Sequence, residues 1–355
     1  MAIESFRTGL LEPLATAITS PRFSISSVHN VGVHLKDESG AEGFSYAYVF
    51  DPHSSNAVQE LITLFADAYV GAEAADMRAV RTKLLTAKAN FLGVRGLVRL
   101  ATSALDMAAW DLLCKMRGTN LPGLVGAERY EQPGFTVAGL WSGLPPEDCA
   151  KVAPEVTAEF NTPHVKMFLG STDVGFERER VAAVRGAIEP GAALIVDAAQ
   201  AYDWRTALKL ANAMADLDVT WFEDPVEYED LEGLSRFGAE APMPMGTGEH
   251  VYGLDQLKQL LDLGVTKYIV LDLERIGGIT DFLAAAALCE AYRVELVTHC
   301  YPHVSVQALA ASRAGTWCEL APLWDGYFGK PEVRDGGFVQ VPDTVGIGLD
   351  LTAGS

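Results

Sequence analysis

Seven charged residues recur at a steady beat through the second half of the chain, each closing or following a short apolar run. VKMFLG carries Lys166, IVDAAQ carries Asp197, WFEDP Glu223, MGTGEH Glu249, YIVLD Asp272, ELVTHC His299 and TWCEL Glu319. From Asp197 onward the intervals are 26, 26, 23, 27 and 20 residues. One βα unit of a parallel barrel takes about that length, since eight units fill roughly 250 residues. The spacing therefore predicts side chains at one height, at or just past the C-terminal ends of successive strands, the rim where barrel enzymes hold their chemistry. A strand end meeting water explains one such residue, not an ordered set of Lys, Asp, Glu, Glu, Asp, His and Glu.

Their types say what chemistry that would be. Three carboxylates on adjacent strand ends, Asp197, Glu223 and Glu249, would repel one another and raise their own pKa values if left unpaired. A hard divalent cation resolves this, and Mg2+ prefers oxygen ligands with positions left for water or substrate. No Cys or His stands within that triad, which makes zinc the poorer match. Asp272 and His299 close the next two strands. A carboxylate bonded to one imidazole nitrogen fixes the tautomer and makes the other nitrogen the better base. Standing alone, His299 would read as a core histidine; beside the triad it reads as half of a dyad.

The elements that must position these residues follow from periodicity. From GFTVAGLW at 134 onward, apolar strands such as ALIVD and KYIVLD alternate with amphipathic helices, the pattern of consecutive right-handed βα units. Both-face apolar strands suit a parallel sheet buried on two sides. Residues 1–50 read instead as β structure, with an early strand near Ile3–Leu11 and a hairpin turning at Asp37–Gly40. Between them lies the loop TSPRFS, residues 19–24. Three helical stretches follow, over 56–71, 76–89 and 96–118, the last stopping at Gly118. The expected architecture is α/β: an α+β capping domain over 1–125, a modified TIM barrel over 126–321, and a tail over 322–355 that returns to the cap.

Composition bounds the partners. A formal charge of −20 over 355 residues argues against nucleic acid and anionic membranes. No apolar run reaches the roughly 20 residues of a bilayer span, and the first residues lack a basic and then apolar leader. Five cysteines without a CxxC pair suggest reduced thiols and a cytoplasmic location.

With these residues in view, the chain resembles the enolase superfamily, specifically its mandelate racemase-like branch. The resemblance rests on VKMFLG, IVDAAQ, WFEDPV, MGTGEH, VLDLERIGGIT, VTHC and WCEL, on SALDMAAWDLL in the first domain and on KPEVRDGGFVQVPDTVGIG in the tail, so it spans nearly the whole chain in order. It implies Mg2+ on Asp197, Glu223 and Glu249, a His299–Asp272 base, and Lys166 with a protonated Glu319 around the substrate carboxylate. It implies further a small-molecule carboxylate as partner and a homo-oligomer. The chemistry implied is removal of a proton next to a carboxylate, in which charge developing on the enolate oxygens is met by placed cations and donors.

Two positions depart from the branch. The second lysine of its usual Lys-x-Lys is here Phe168, so the second base of a racemase is missing. The usual Asn two residues after the first metal ligand is Ala199, for which Gln200 and Tyr202 are candidate substitutes. Arg22 in the TSPRFS loop, Tyr46 and Tyr48 near the second specificity loop, of which at least one reads as strand packing, and His303 four residues after His299 are further candidate substrate contacts. The leading expectation is dehydration of an acid sugar or related hydroxy acid to a 2-keto acid by one base. A racemase, epimerase or cycloisomerase is the alternative within the same fold, and a degenerate acid-binding member a further one. Loops around residues 15–28 and 44–54 are expected to select the substrate.

Overall fold

The computed structural model describes residues 1–351. Four antiparallel strands open the chain: β1 (Ile3–Leu10), β2 (Leu14–Thr19), β3 (Ser24–Asp37) and β4 (Glu42–Val49). The long β3 is central and pairs with each of the others. The predicted hairpin is fixed by Asp37, whose Oδ1 accepts from the Ser39 and Ala41 amides at 2.9 and 3.0 Å while Gly40 takes φ +88°. Three helices follow, α1 (Pro52–Ala66), α2 (Met77–Thr86) and α3 (Leu97–Arg117), with the short α4 (Leu121–Val125) after them. α1 starts on Asp51, which caps the His53 and Ser54 amides, and α3 stops at Gly118 in the left-handed conformation. α3 lies so close to β4 that a Cβ on Gly43 would fall 2.2 Å from the Ala108 carbonyl.

Eight parallel strands then close into a barrel. They are β5 (Glu131–Thr136), β6 (Val165–Phe168), β7 (Leu194–Asp197), β8 (Trp221–Glu223), β9 (Met245–Thr247), β10 (Tyr268–Asp272), β11 (Glu295–His299) and β12 (Gly315–Leu320). β12 pairs with β5 through Cys318–Gly134, Glu319–Phe135 and Leu320–Thr136, which completes the closure. Outside lie α5 (Pro146–Phe160), α6 (Val174–Ala187), α7 (Trp204–Ala213), α8 (Leu231–Glu240), α9 (Leu254–Asp262), α10 (Leu273–Ile276), α11 (Gly278–Tyr292) and α12 (Pro302–Ala310).

β7, β8, β10, β11 and β12 split their residues between two cores. Phe135, Ile195, Trp221, Val270 and Val297 fill the barrel interior with Trp317 against them, while Val165, Leu194, Val196, Phe222 and Leu271 pack outward into the main core. This alternation sets the functional side chains. Asp197, Glu223, Asp272, His299 and Glu319 each lie two residues beyond an interior core residue, so period-2 geometry aims them inward above the core.

The tail contains α13 (Asp325–Phe328) and a hairpin of β13 (Val333–Arg334) and β14 (Phe338–Gln340). It was expected to return to the cap; its hairpin first extends the barrel sheet, β14 pairing antiparallel with Glu131–Pro133 of β5. The chain then reaches the cap, the Gly346 amide donating to the Thr119 carbonyl at 3.0 Å and the Ile347 amide to Asp111 Oδ1 at 2.9 Å.

The cap is held over β10 by a polar seam along α3. Ser103 Oγ donates to the Glu274 carbonyl at 2.6 Å, and Asp106 accepts from the Thr280 amide and hydroxyl at 3.0 and 2.6 Å. Buried Asp281 of α11 pairs with Arg81 and, at 3.4 Å, with Arg99. Among the described residues, no helix is long and apolar enough to cross a membrane.

Candidate active site

The strand ends turn sharply where they deliver their side chains. Ala199 and Gln200 after β7, Asp224 after β8, and Cys300 and Tyr301 after β11 all take left-handed backbone, with φ between +40° and +63°. Non-glycine residues held there cost on the order of 1–3 kcal/mol each and cluster where function over-determines the geometry.

Lys166 sits at the centre of the acidic group. Its Nζ lies 2.6 Å from Glu223 Oε1, 2.7 Å from Glu319 Oε2 and 3.2 Å from Asp197 Oδ2, all four residues being buried. Burial works against its charge, but Glu223, Glu319 and Asp197 outweigh that and hold the ammonium well above its ordinary range. The remaining contacts orient the acids. Trp221 Nε1 donates to Glu223 Oε2 at 2.9 Å, the Ala199 amide to Asp197 Oδ1 at 2.7 Å, and the Cys300 amide to Glu319 Oε1 at 3.1 Å.

One ammonium does not neutralise this set. Burial and the neighbouring carboxylates push Asp197 well above its usual range despite Lys166, and Glu223 is raised for the same reasons. Glu249 goes the other way, down to about 2, because His299, His250 and Arg275 together outweigh its burial. Oxygens of Asp197, Glu223 and Glu249 all lie within 4.8 Å of one another. An all-oxygen donor set with surplus buried negative charge fits a hard dication such as Mg2+. A neighbouring group of Asp224, Glu249 and His250 is equally tight. There, however, both Asp224 oxygens are already engaged, accepting from Gln200 Nε2 at 2.8 Å and Thr247 Oγ1 at 2.6 Å.

The structure brings Asp272 and His299 together at strands paired in register, Asp272 opposite His299. His299 Nδ1 lies 2.8 Å from Asp272 Oδ2, which also accepts from the Tyr48 hydroxyl at 2.8 Å. Asp272 Oδ1 takes the Glu274 and Arg275 amides at 2.7 and 3.0 Å. These donors, His299 first, keep the buried carboxyl below its ordinary value. An anion so placed assigns the imidazole proton to Nδ1 and leaves Nε2 as the basic nitrogen. Nε2 lies 3.4 Å from Glu249 Oε2 and 3.5 Å from Cys300 Sγ. Burial disfavours the imidazolium, yet Cys300 and the carboxylates of Glu249 and Asp272 hold it well above its usual pKa. The Cys300 thiol is itself pushed up by burial, so the carboxylates supply the charge.

Lys166, Asp197, Glu249, His299 and Glu319 share a cavity of about 250 Å3 between barrel rim and cap. The two specificity stretches contribute Thr16, Ile18, Phe23, Ile25 and Phe50 to its wall. Four of the other candidates fare differently. Arg22 leaves this cavity and pairs with Glu227 at 2.7 Å, bridging the cap loop to the barrel. Gln200 lies beside it in an adjoining cavity, its amide spent on Asp224 and, at 2.7 Å, on His250 Nδ1. Tyr46 is stacked between Tyr301 and Phe328, and does not line the cavity. His303 turns away: its Nε2 meets the Gly329 carbonyl at 2.9 Å, in contact with the tail.

Two residues of the site did not stand out in the sequence, and a third was one of two candidates between which the sequence does not choose. Tyr48, not Tyr46, reaches the dyad, because β4 crosses the end of β10 there. Arg275 lines the cavity and donates to the Glu249 carbonyl at 3.1 Å; its signal was its place three residues after Asp272, one turn on. Cys300 stands beside the basic nitrogen and gave no signal beyond adjacency to His299.

Comparisons with known proteins extend over nearly the whole chain. Residues 148–354 match the family model described as enolase C-terminal domain-like, and residues 5–126 match the mandelate racemase/muconate lactonizing enzyme N-terminal domain. Over 350 residues the chain is 27% identical to an L-talarate/galactarate dehydratase of Salmonella typhimurium, covering 96% of this chain and 86% of the relative. It is 29% identical over 354 residues to a 3,6-anhydro-alpha-L-galactonate cycloisomerase of Streptomyces coelicolor, covering 98% and 97%. A racemase from Streptomyces coelicolor, solved with bound magnesium, superposes with a TM-score of 0.91 at 28% identity, covering 98% of this chain and 97% of that one.

Proposed function

The chain belongs to the mandelate racemase/muconate lactonizing enzyme family of the enolase superfamily, and on that premise we propose that it is a Mg2+-dependent dehydratase of a hydroxy acid, in the acid-sugar dehydratase manner. The observation that carries the proposal is the His299–Asp272 dyad opening onto the same cavity as Lys166, Glu319 and the carboxylate triad.

Asp197, Glu223 and Glu249 would hold the cation. When bound, Mg2+ supplies positive charge to the substrate carboxylate, where the enolate's second negative charge develops. Lys166 and Glu319 face the same corner, and the ammonium of Lys166 adds a second cation to it. His299 Nε2 takes the α-proton, while Asp272 keeps Nδ1 protonated and steadies the imidazolium that forms. The same imidazolium then delivers its proton to the departing β-hydroxyl as water, and the resulting enol becomes a 2-keto acid. Phe168 lines the cavity and has no proton to give, which favours one-base elimination over two-base racemisation. The cycloisomerase relative keeps a second reading open, ring closure or opening through the same enolate.

The reading makes this a cytoplasmic protein, which its five free, buried cysteines support, and a homo-oligomer, which sedimentation would test. The direct test is incubation of purified protein and Mg2+ with a panel of hydroxy acids. A 2-keto acid product supports dehydration, an isomeric acid supports the second reading, and binding without turnover would mark a degenerate acid-binding member.

A further inference from the structure

The cavity divides sharply by chemistry. Every charged residue lining it comes from the barrel rim, and each is engaged by other site residues. Lys166 stands among three carboxylates, Arg275 on Glu249, His250 on Glu249 and His299 on Asp272. Apart from the Thr16 hydroxyl, the Trp141 indole N–H and the Cys300 thiol, the rest of the wall is apolar. The cap gives Ile18, Ile25 and Phe50, the barrel gives Trp141 and Phe168, and the start of the tail gives Leu323. Among the described lining residues, Thr16 supplies the sole side-chain hydroxyl. Phe168 and Trp141 stack with ring centroids 5.9 Å apart, forming a continuous aromatic face. The two positions that depart from the branch, Phe168 and Ala199, both present apolar groups to the cavity. Arg22, the cap-loop cation, lies in the adjoining cavity, which shares Phe23, Ala199, Glu249 and His250 with this one, and is paired there with Glu227.

We infer that the substrate is a monocarboxylic hydroxy acid whose hydroxyls lie only beside the carboxylate and whose far end is an apolar alkyl or aryl group. The inference rests on the reaction proposed above and names its substrate class. A hydroxyl buried against this wall would lose water without gaining a partner, which costs roughly tenfold in affinity for each such group. Each methylene buried there instead gains about fourfold. A second carboxylate at the far end would meet no unpaired cation, since Arg22 in the adjoining cavity already holds Glu227, so a dicarboxylic sugar acid such as galactarate would be rejected more strongly still.

Equilibrium binding in the presence of Mg2+ tests this without requiring turnover. The probes are 3-phenyllactate, gluconate and galactarate, titrated calorimetrically into the full chain. Phenyllactate is expected to bind at least about tenfold more tightly than gluconate, with galactarate weakest. Phe50 is 37% exposed, so Phe50→Ser should fold; it is expected to weaken phenyllactate at least about threefold and leave gluconate nearly unmoved. Equal or tighter binding of either polyhydroxylated acid overturns the inference, as does a Phe50→Ser variant that binds phenyllactate unchanged. Failure of the proposed reaction would look different. Phenyllactate would bind in the expected order yet keep its Cα proton in D2O, and the inference would stand as a statement of what the cavity takes.

Discussion

Glu223 is the carboxylate most completely enclosed by the site. Lys166 holds one oxygen at 2.6 Å and Trp221 the other at 2.9 Å, with no exposed surface remaining. Its raised pKa records burial and the pressure of Glu319 and Glu249, which Lys166 only partly relieves. Glu223→Gln keeps the shape and removes one of three negative charges. Mg2+ affinity, measured by calorimetry, is expected to fall at least roughly tenfold. Unchanged affinity would remove Glu223 from the metal site. The same scale shows what residue types alone could not reveal. Tyr46 and Tyr48 share one side of β4, so nothing in their spacing chooses between them. The choice lies in where β4 crosses β10, and it falls on Tyr48.

At the scale of elements, α10 joins the dyad to the cap. Glu274 accepts from the Tyr48 amide at 2.8 Å and the Tyr301 hydroxyl at 2.6 Å, buried next to Asp272. Burial, followed by the Asp272 charge, pushes its pKa up to about 8. Between its ordinary value and 8, the folded protein holds a proton that the unfolded chain has released. Stability from this group is therefore complete below the unfolded pKa and is lost as pH rises towards 8. Asp106, raised by burial to about 6, acts in the same direction over a narrower window. Glu274→Gln keeps an acceptor for both donors and cannot ionise. Denaturant unfolding at pH 5 and pH 8 should show the variant losing less stability than the parent, a difference of roughly 1–3 kcal/mol. Parallel losses would show that Glu274 is not the titrating group. The barrel strands were legible because charges marked their ends, even where a strand is only WFE or MGT. His303 turns away from the cavity for a backbone reason. Cys300 and Tyr301 take left-handed φ values of +57° and +51° without being glycine, and α12 starts in a new direction.

At the scale of the whole molecule, the fold separates two tasks. The barrel rim gathers the charged groups, and the cap, fastened by Ser103 and Asp106 of α3 and by the pair of Arg81 on α2 with Asp281, closes an apolar wall over them. The order of chemical groups was legible in the sequence because each barrel unit is local. The wall was not, since it forms only when residues near 18, 25 and 50 dock against others near 141, 168 and 323. The central claim is that one base, His299, works on one face of the substrate while Phe168 leaves the other face silent. The most direct measurement is Cα deuterium incorporation in D2O with Mg2+, following the two enantiomers of 3-phenyllactate separately by NMR. One enantiomer should exchange and the other should not. His299→Asn should abolish the exchange, and Asp272→Asn should slow it by roughly 100-fold or more through loss of the imidazole's orientation. Exchange of both enantiomers at similar rates in the unmutated protein would contradict the account, because a second proton carrier would then be at work on the opposite face.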